Sequence, residues 1–297
     1  MLTMSSNMTT HSDTGRLQSI LLKHPRDAFE SREKVEAQWE RLNYRAAPDL
    51  ERAVDEYDRF VELFRDAEVE INFAPVDGTT TLDSIYVRDA ALVTDRGAIL
   101  CSMGKADRRA EPAALAASLE AAGIEVLGAI GGDGRLEGGD VVWLPENRIA
   151  VGHGYRTNDD GIRQLRELTE GIAQEIIVVP LPHWRGPSDV FHLMSMVSPV
   201  DRDAALVYSP LLPVAFRERL LALDQRLIEV PDEEFASMGC NVLALGSGRC
   251  LMLDGNPVTR RRLERAGIEA LVYGGEEISR KGEGGPTCLT RTLLREK

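Results

Sequence analysis

Three stretches of the chain repeat one order of elements, and this repeat limits the fold more than any other feature. From Ala90 the sequence reads AALVTDRGAILCSM, then PAALAASLEAAG, then IEVLG. From Asp140 it reads DVVWLPENRIAVGH, TNDDGIRQLRELTEGI and QEIIVVPL, and from Asn241 NVLALGSGRCLML, PVTRRRLERAG and IEALVYG. Each stretch is a strand-length apolar run, a short polar turn and a second apolar run. A helical segment and a third strand follow. The turns Asp95-Arg96-Gly97, Pro145-Glu146-Asn147 and Gly246-Ser247-Gly248 carry the Gly, Asn and Asp that hairpins require. Pro112, Thr157 or Asn158, and Pro257 stand where helices begin. A less regular fourth copy runs from about Met196, and a fifth opens the chain with RLQSILLKHP and reaches its helix after a polar detour. Five ββαβ units spaced by roughly 50–60 residues predict a closed five-bladed α/β propeller, with a generic α/β sandwich as the alternative.

Composition narrows the partners. The 297 residues include 48 acidic and 35 basic side chains, a formal charge of −13. Such a field repels nucleic acid and anionic membranes and favours small cationic ligands. No apolar run is long enough for a membrane-spanning helix. Residues 1–15 have neither a basic start nor an apolar stretch and read as a loose tail, with 16–297 a single catalytic domain. The four cysteines form no C-x-x-C pair, which argues against a disulfide scaffold or zinc ribbon and for a reducing cytoplasm. Self-association is compatible with this composition.

Several residues have the chemistry for a site. Cys288 ends the glycine-rich run KGEGGPTC, where small residues allow close approach of a ligand. Its thiol would be a strong nucleophile once ionised, although a buried structural cysteine fits too. His192, in DVFHLMSMVSPV, reads as a general base or as a hydrogen-bonded core residue. Glu137 and Asp140, in RLEGGDVVWL, place acids at the head of a buried strand, where an unpaired carboxylate is costly. Asp83 and Asp89 flank SIYVR, while Arg108, Arg109 and Arg156 fall in polar loops. In a propeller the same point of each repeat faces the axis, so Asp89, Glu137, His192 and Cys288 are expected to converge. No G-x-S-x-G, Walker loop or H-E-x-x-H is present, and GAIGGDG is too irregular for a dinucleotide fingerprint.

The segments LDSIYVRDAALV, GKADRRAE, LEGGDVVWLPENRIAVGHGYRTNDDGIRQL, FHLMS and GGPTC, in this order, resemble the guanidine-modifying enzyme (pentein) superfamily. Within it the chain looks closest to dimethylarginine dimethylaminohydrolases, with features similar to arginine deiminases and amidinotransferases. The resemblance implies the pentein fold and a hydrolase of Nω-methylated arginine that yields citrulline and methylamine or dimethylamine. A deiminase or amidinotransferase is the alternative, and a non-catalytic propeller binding protein is a third. It further implies Cys288 as nucleophile, His192 as general acid and base, and Glu137 and Asp89 at the guanidinium. Arg108 and Arg156 would read the substrate's α-carboxylate, with Asp83 near its polar end. No metal or organic cofactor is implied. Met194 stands where deiminases carry an acid two residues after the histidine, and Glu283 where they tend to carry arginine. Both departures resemble the dimethylarginine branch, whereas YVRD and SRKGEGGPTC resemble the deiminases.

Overall fold

The computed structural model describes residues 8–189, 191–246 and 248–297. Four of its five sheets share one plan: an antiparallel hairpin, a helix, and a third strand parallel to the second. The first is Ala91–Thr94, Gly97–Leu100 and Val126–Ala129; the next is Val141–Leu144, Arg148–His153 and Glu175–Pro180. The others are Val197–Asp201, Ala204–Val207 and Arg226–Glu229, then Val242–Gly246, Arg249–Leu253 and Glu269–Tyr273. Glu111–Ala121, Asp159–Leu168, Val214–Ala222 and Pro257–Arg265 are the crossover helices. Asn158, not Thr157, caps the second of these, its side chain accepting from the Gly161 N–H. In the turn after Leu144, Glu146 and Asn147 both adopt positive φ (60° and 54°), the twist a tight hairpin favours. The middle of the expected Gly246-Ser247-Gly248 turn lies outside the described residues.

The fifth sheet closes the ring in a way the repeat did not foretell. Leu17–Leu22 and Glu70–Phe73, joined through the helix Leu50–Asp66, supply only two strands of the unit. The inner strand is Arg291–Glu296, from the other end of the chain, antiparallel to Leu17–Leu22. The result is the five-bladed α/β propeller. Its inner strands Ala91–Thr94, Val141–Leu144 and Val242–Gly246 are buried at every position, which accounts for a sequence that is apolar but for Thr94. Outer strands such as Val126–Ala129 and Glu70–Phe73 are half exposed. No described helix is long and apolar enough to cross a membrane.

The expectation of a loose tail over 1–15 fails for residues 8–15; residues 1–7 lie outside the described part. Met8–Thr9 pairs with Arg295 and Glu296, Thr9 and Thr10 donate to Asp95, and His11 stacks on Trp143. Asp13 is buried, accepting from Arg88 and from the Trp143 N–H. Small polar residues read as a tail until the ring supplies their partners.

Candidate active site

Every inner strand is entered from a polar residue at the same end of its blade. Asp89 precedes Ala91–Thr94, Glu137 and Asp140 precede Val141–Leu144, and His192 precedes Val197–Asp201. Asn241 precedes Val242–Gly246, and Cys288 precedes Arg291–Glu296. The repeat therefore gathers these side chains around the propeller axis.

Glycines let them touch. A Cβ on Gly139 would lie 2.6 Å from His192 Nδ1 and 2.8 Å from Asp89 Oδ1, and its N–H donates to Asp89 at 2.9 Å. A Cβ on Gly284 would lie 2.2 Å from the Tyr86 ring, so only glycine lets the loop before Cys288 close over that tyrosine.

His192 and Glu137 form the tightest pair, with His192 Nε2 2.6 Å from Glu137 Oε2. Glu137 is fully buried, and its other oxygen accepts from the Gly104 N–H at 2.8 Å. Arg156 Nη1 stands 3.4 Å from both oxygens. Burial would raise the Glu137 carboxyl, but the bond from His192 and the charges of Arg156 and His192 outweigh it and hold it below the usual range. Burial likewise opposes a charge on His192, yet Asp89, Asp140 and Glu137 lift it to about 9. At neutral pH the pair is an imidazolium on a carboxylate. Asp140 plays a structural part, accepting from the Leu193 N–H at 2.9 Å and from Thr157 Oγ1 at 2.7 Å and so fixing the segment that carries His192.

Cys288 is partly exposed where two clefts meet. Burial pushes its thiol up and the Asp89 carboxylate adds to this, while bonds from Thr287 and Asn241 pull the other way. Asn241 Nδ2 lies 3.5 Å from the sulfur. The other three cysteines are buried, and burial raises each thiol, Cys250 to about 12.

The smaller cleft is polar. Six of the seven expected site residues line it: Asp83, Asp89, Arg108, Arg156, His192 and Cys288. Glu137 lies behind His192, its oxygens aimed at the imidazole and a backbone N–H rather than at open space. Arg108 is more committed than expected. Nε and Nη2 donate to Glu111, Nη1 to Asp89 at 2.6 Å, and Nη2 also to the Tyr86 carbonyl. Burial raises Glu111 to about 7 despite that arginine. Sequence reasoning missed Lys105, whose Nζ bridges Asp83 (2.6 Å) and the Leu42 carbonyl (2.7 Å). The larger cleft, about 750 Å³ to its open mouth, is lined by Trp184, Phe191, Met194, Phe235 and Met238 beside His192 and Cys288. Arg45 and Glu283 pair at its rim, and Glu283 borders both clefts.

Asp89, Glu137 and His192 also offer three ligand atoms within 4.8 Å of one another, the spacing a metal ion would need. Each atom set is already engaged with Arg108 and Gly139, with Gly104, or within the His192–Glu137 pair, so a metal would have to displace those bonds.

Residues 28–295 match the family model described as N,N dimethylarginine dimethylhydrolase, eukaryotic. The chain belongs to this dimethylarginine dimethylhydrolase family. One similar protein is the N(G),N(G)-dimethylarginine dimethylaminohydrolase of Streptomyces coelicolor, 31% identical over 81% of this chain and 86% of its own length. The fold is similar to that of a mutant dimethylarginine dimethylaminohydrolase from Pseudomonas aeruginosa complexed with citrulline (TM-score 0.74, 22% identity, 95% of this chain and 100% of the other). It is also similar to an amidinotransferase from Microseira wollei (TM-score 0.77, 17% identity, 96% of each chain). Family membership thus fixes the chemistry more narrowly than fold, since one propeller carries hydrolases and a transferase alike.

Proposed function

We propose that the protein hydrolyses Nω-methylated arginine to citrulline and methylamine or dimethylamine, with Cys288 as nucleophile. The observation that supports this most is the buried His192–Glu137 ion pair beside a partly exposed thiol, at the junction of two clefts. The substrate's amino-acid end lies in the polar cleft with Asp83, Lys105 and Arg156, and its methylated nitrogen faces Met194. Asp89 accepts from the guanidinium, fixing the plane of a cation that is otherwise a poor electrophile. That cation also favours the Cys288 thiolate, offsetting the effect of burial.

Sγ attacks the guanidinium carbon and a C–S bond forms. The tetrahedral adduct collapses as the bond to the methylated nitrogen breaks, and His192 gives its proton to the departing amine. The cysteine then carries an S-alkylthiouronium. His192, now neutral, takes a proton from water as the oxygen adds to the same carbon. The C–S bond breaks as the hydroxyl on that carbon loses its remaining proton to solvent, releasing citrulline and the thiolate. Glu137 works through His192: held at 2.6 Å, it keeps the ring oriented and protonated for the first step. General acid–base catalysis of this type contributes about 10²–10⁴ in rate. Four unpaired cysteines suit a reducing cytoplasm, where the nucleophile stays a thiol. Incubation with Nω-monomethylarginine, asymmetric dimethylarginine and arginine, followed by assay of citrulline and the released amine, tests the reading; no citrulline from any of the three would reject it.

Two predictions concern selectivity. With Arg108 and Arg156 as the proposed readers of the α-carboxylate, agmatine, which lacks that group, should show kcat/KM at least about tenfold below arginine. Equal turnover of the two would remove the carboxylate-reading role. Met194, buried in the wall of the larger cleft, has a side chain that packs against methyl groups and accepts no hydrogen bond from an unsubstituted NH₂. Methylated arginines should therefore exceed arginine in kcat/KM, and Met194→Asp should shift the ratio toward arginine. A wild-type preference for arginine with release of ammonia would refute the Met194 argument and leave the hydrolytic mechanism standing.

A further inference from the structure

Arg88, Arg291 and Arg295 adjoin Asp89 and Cys288 in sequence but line neither cleft. All three are buried (1%, 3% and 0% exposed), and the acid set among them is Asp13, 6% exposed. Arg88 Nη2 donates to Asp13 Oδ1 at 3.2 Å, and Asp13 Oδ2 accepts from the Trp143 N–H. Arg291 Nη1 donates to the carbonyls of Arg88 and Ala91, and Arg295 Nη1 to those of Gly15 and Ala244. Five further buried nitrogens have no acceptor among the described residues: Nε and Nη1 of Arg88, Nε of Arg291, and Nε and Nη2 of Arg295.

Three guanidinium charges face one carboxylate in an interior where unpaired charge is expensive. Arginine does not escape by losing its proton. The neighbouring groups cannot supply the deficit. Asp89 is engaged with Arg108 and the Gly139 N–H, and burial keeps the Cys101 thiol protonated. Carbonyl dipoles ease the cost but carry no net charge.

We propose that this cluster binds one small, singly charged inorganic anion of the chloride class. The five unused N–H-bearing nitrogens belong to three side chains gathered by hydrogen bonds around one acid: Arg88 bonds Asp13 itself, Arg291 the Arg88 carbonyl, and Arg295 the carbonyl of Gly15, two residues after Asp13. Arg88 and Arg291 also repel each other, and burial and that repulsion push Arg291 down to about 9. With every member buried, an organic anion or a phosphate has no path for its bulk or its strongly held water. A halide is smaller and sheds its water at lower cost. The site is structural: it balances charge where the closing strand Arg291–Glu296 meets the loop at Arg88.

The test uses the full chain at constant ionic strength, replacing gluconate with chloride or bromide. The expected result is a Tm that rises with the logarithm of halide concentration, by roughly 5 °C at a hundred times the dissociation constant. Crystals of the wild-type protein in bromide should show one anomalous peak within hydrogen-bonding distance of the guanidinium nitrogens. Asp13→Asn, which adds net positive charge, should steepen the halide dependence, and Arg295→Met should flatten it. If either variant fails to fold, the wild-type bromide peak decides alone. No peak in the cluster, or only water there, overturns the proposal whatever the salts do to Tm.

Discussion

Cys288→Ser should lower turnover of methylated arginine by at least about a thousandfold, because an alkoxide at neutral pH is far scarcer than a thiolate and no other thiol can reach the substrate. The remaining cysteines are buried and raised well out of the reactive range. Fold should survive, since sulfur and oxygen differ little in size and the residue is partly exposed; near-UV circular dichroism and Tm check this. Wild-type enzyme quenched in acid during turnover should carry an amidino-type mass adduct on the peptide containing Cys288. An adduct on Cys101, Cys240 or Cys250, or a fully active serine variant, would remove the nucleophile from its place.

Glu137→Gln should cost roughly 10²–10⁴ in kcat and change the pH profile as well as its height. The wild-type profile should fall on the alkaline side near pH 9, where His192 loses its proton. Replacing the carboxylate by an amide of the same shape removes one of the charges that raise His192, so the alkaline limb should move to lower pH. The same group links pH to stability. His192 is raised on folding, so its contribution is fully present below about pH 6.5 and is lost as pH rises through about 9. Tm of the wild type should decline over that window more than Tm of the variant. An alkaline limb unmoved by Glu137→Gln would assign the titration to another group and leave Glu137 a packing role.

The propeller could be read in the sequence because its blades obey a local rule. Hairpin turns, helix caps and unbroken inner-strand runs recur at one spacing, and each is encoded within a few tens of residues. The closing strand was not legible, because TRTLLREK carries no turn or helix to mark its blade and its partner lies at the opposite end of the chain. The site was legible where chemistry is unusual for its position. Acids at the head of a buried strand pointed to Glu137 and Asp140, and a glycine-rich approach pointed to Cys288. Lys105 and Glu111 were not, since a charged residue in a polar loop looks solvated until Asp83 and Arg108 are brought against it. Asn241 had a signal that went unused: it occupies in its blade the place that Asp89 and Asp140 occupy in theirs. The direction of Glu137 was beyond sequence altogether, because an acid that holds a histidine and one that holds a substrate have the same spelling.

Two residues separate Cys288 from the strand that shuts the ring. On the ribosome, the segments bearing Asp89, Glu137, His192 and Asn241 therefore emerge first, and the reactive thiol comes with the piece that joins the ends. Until that strand pairs with Leu17–Leu22, Asp89 and His192 stand without the thiol proposed as nucleophile. On the proposed mechanism chemistry begins only with closure, and loss of the closing strand would abolish turnover.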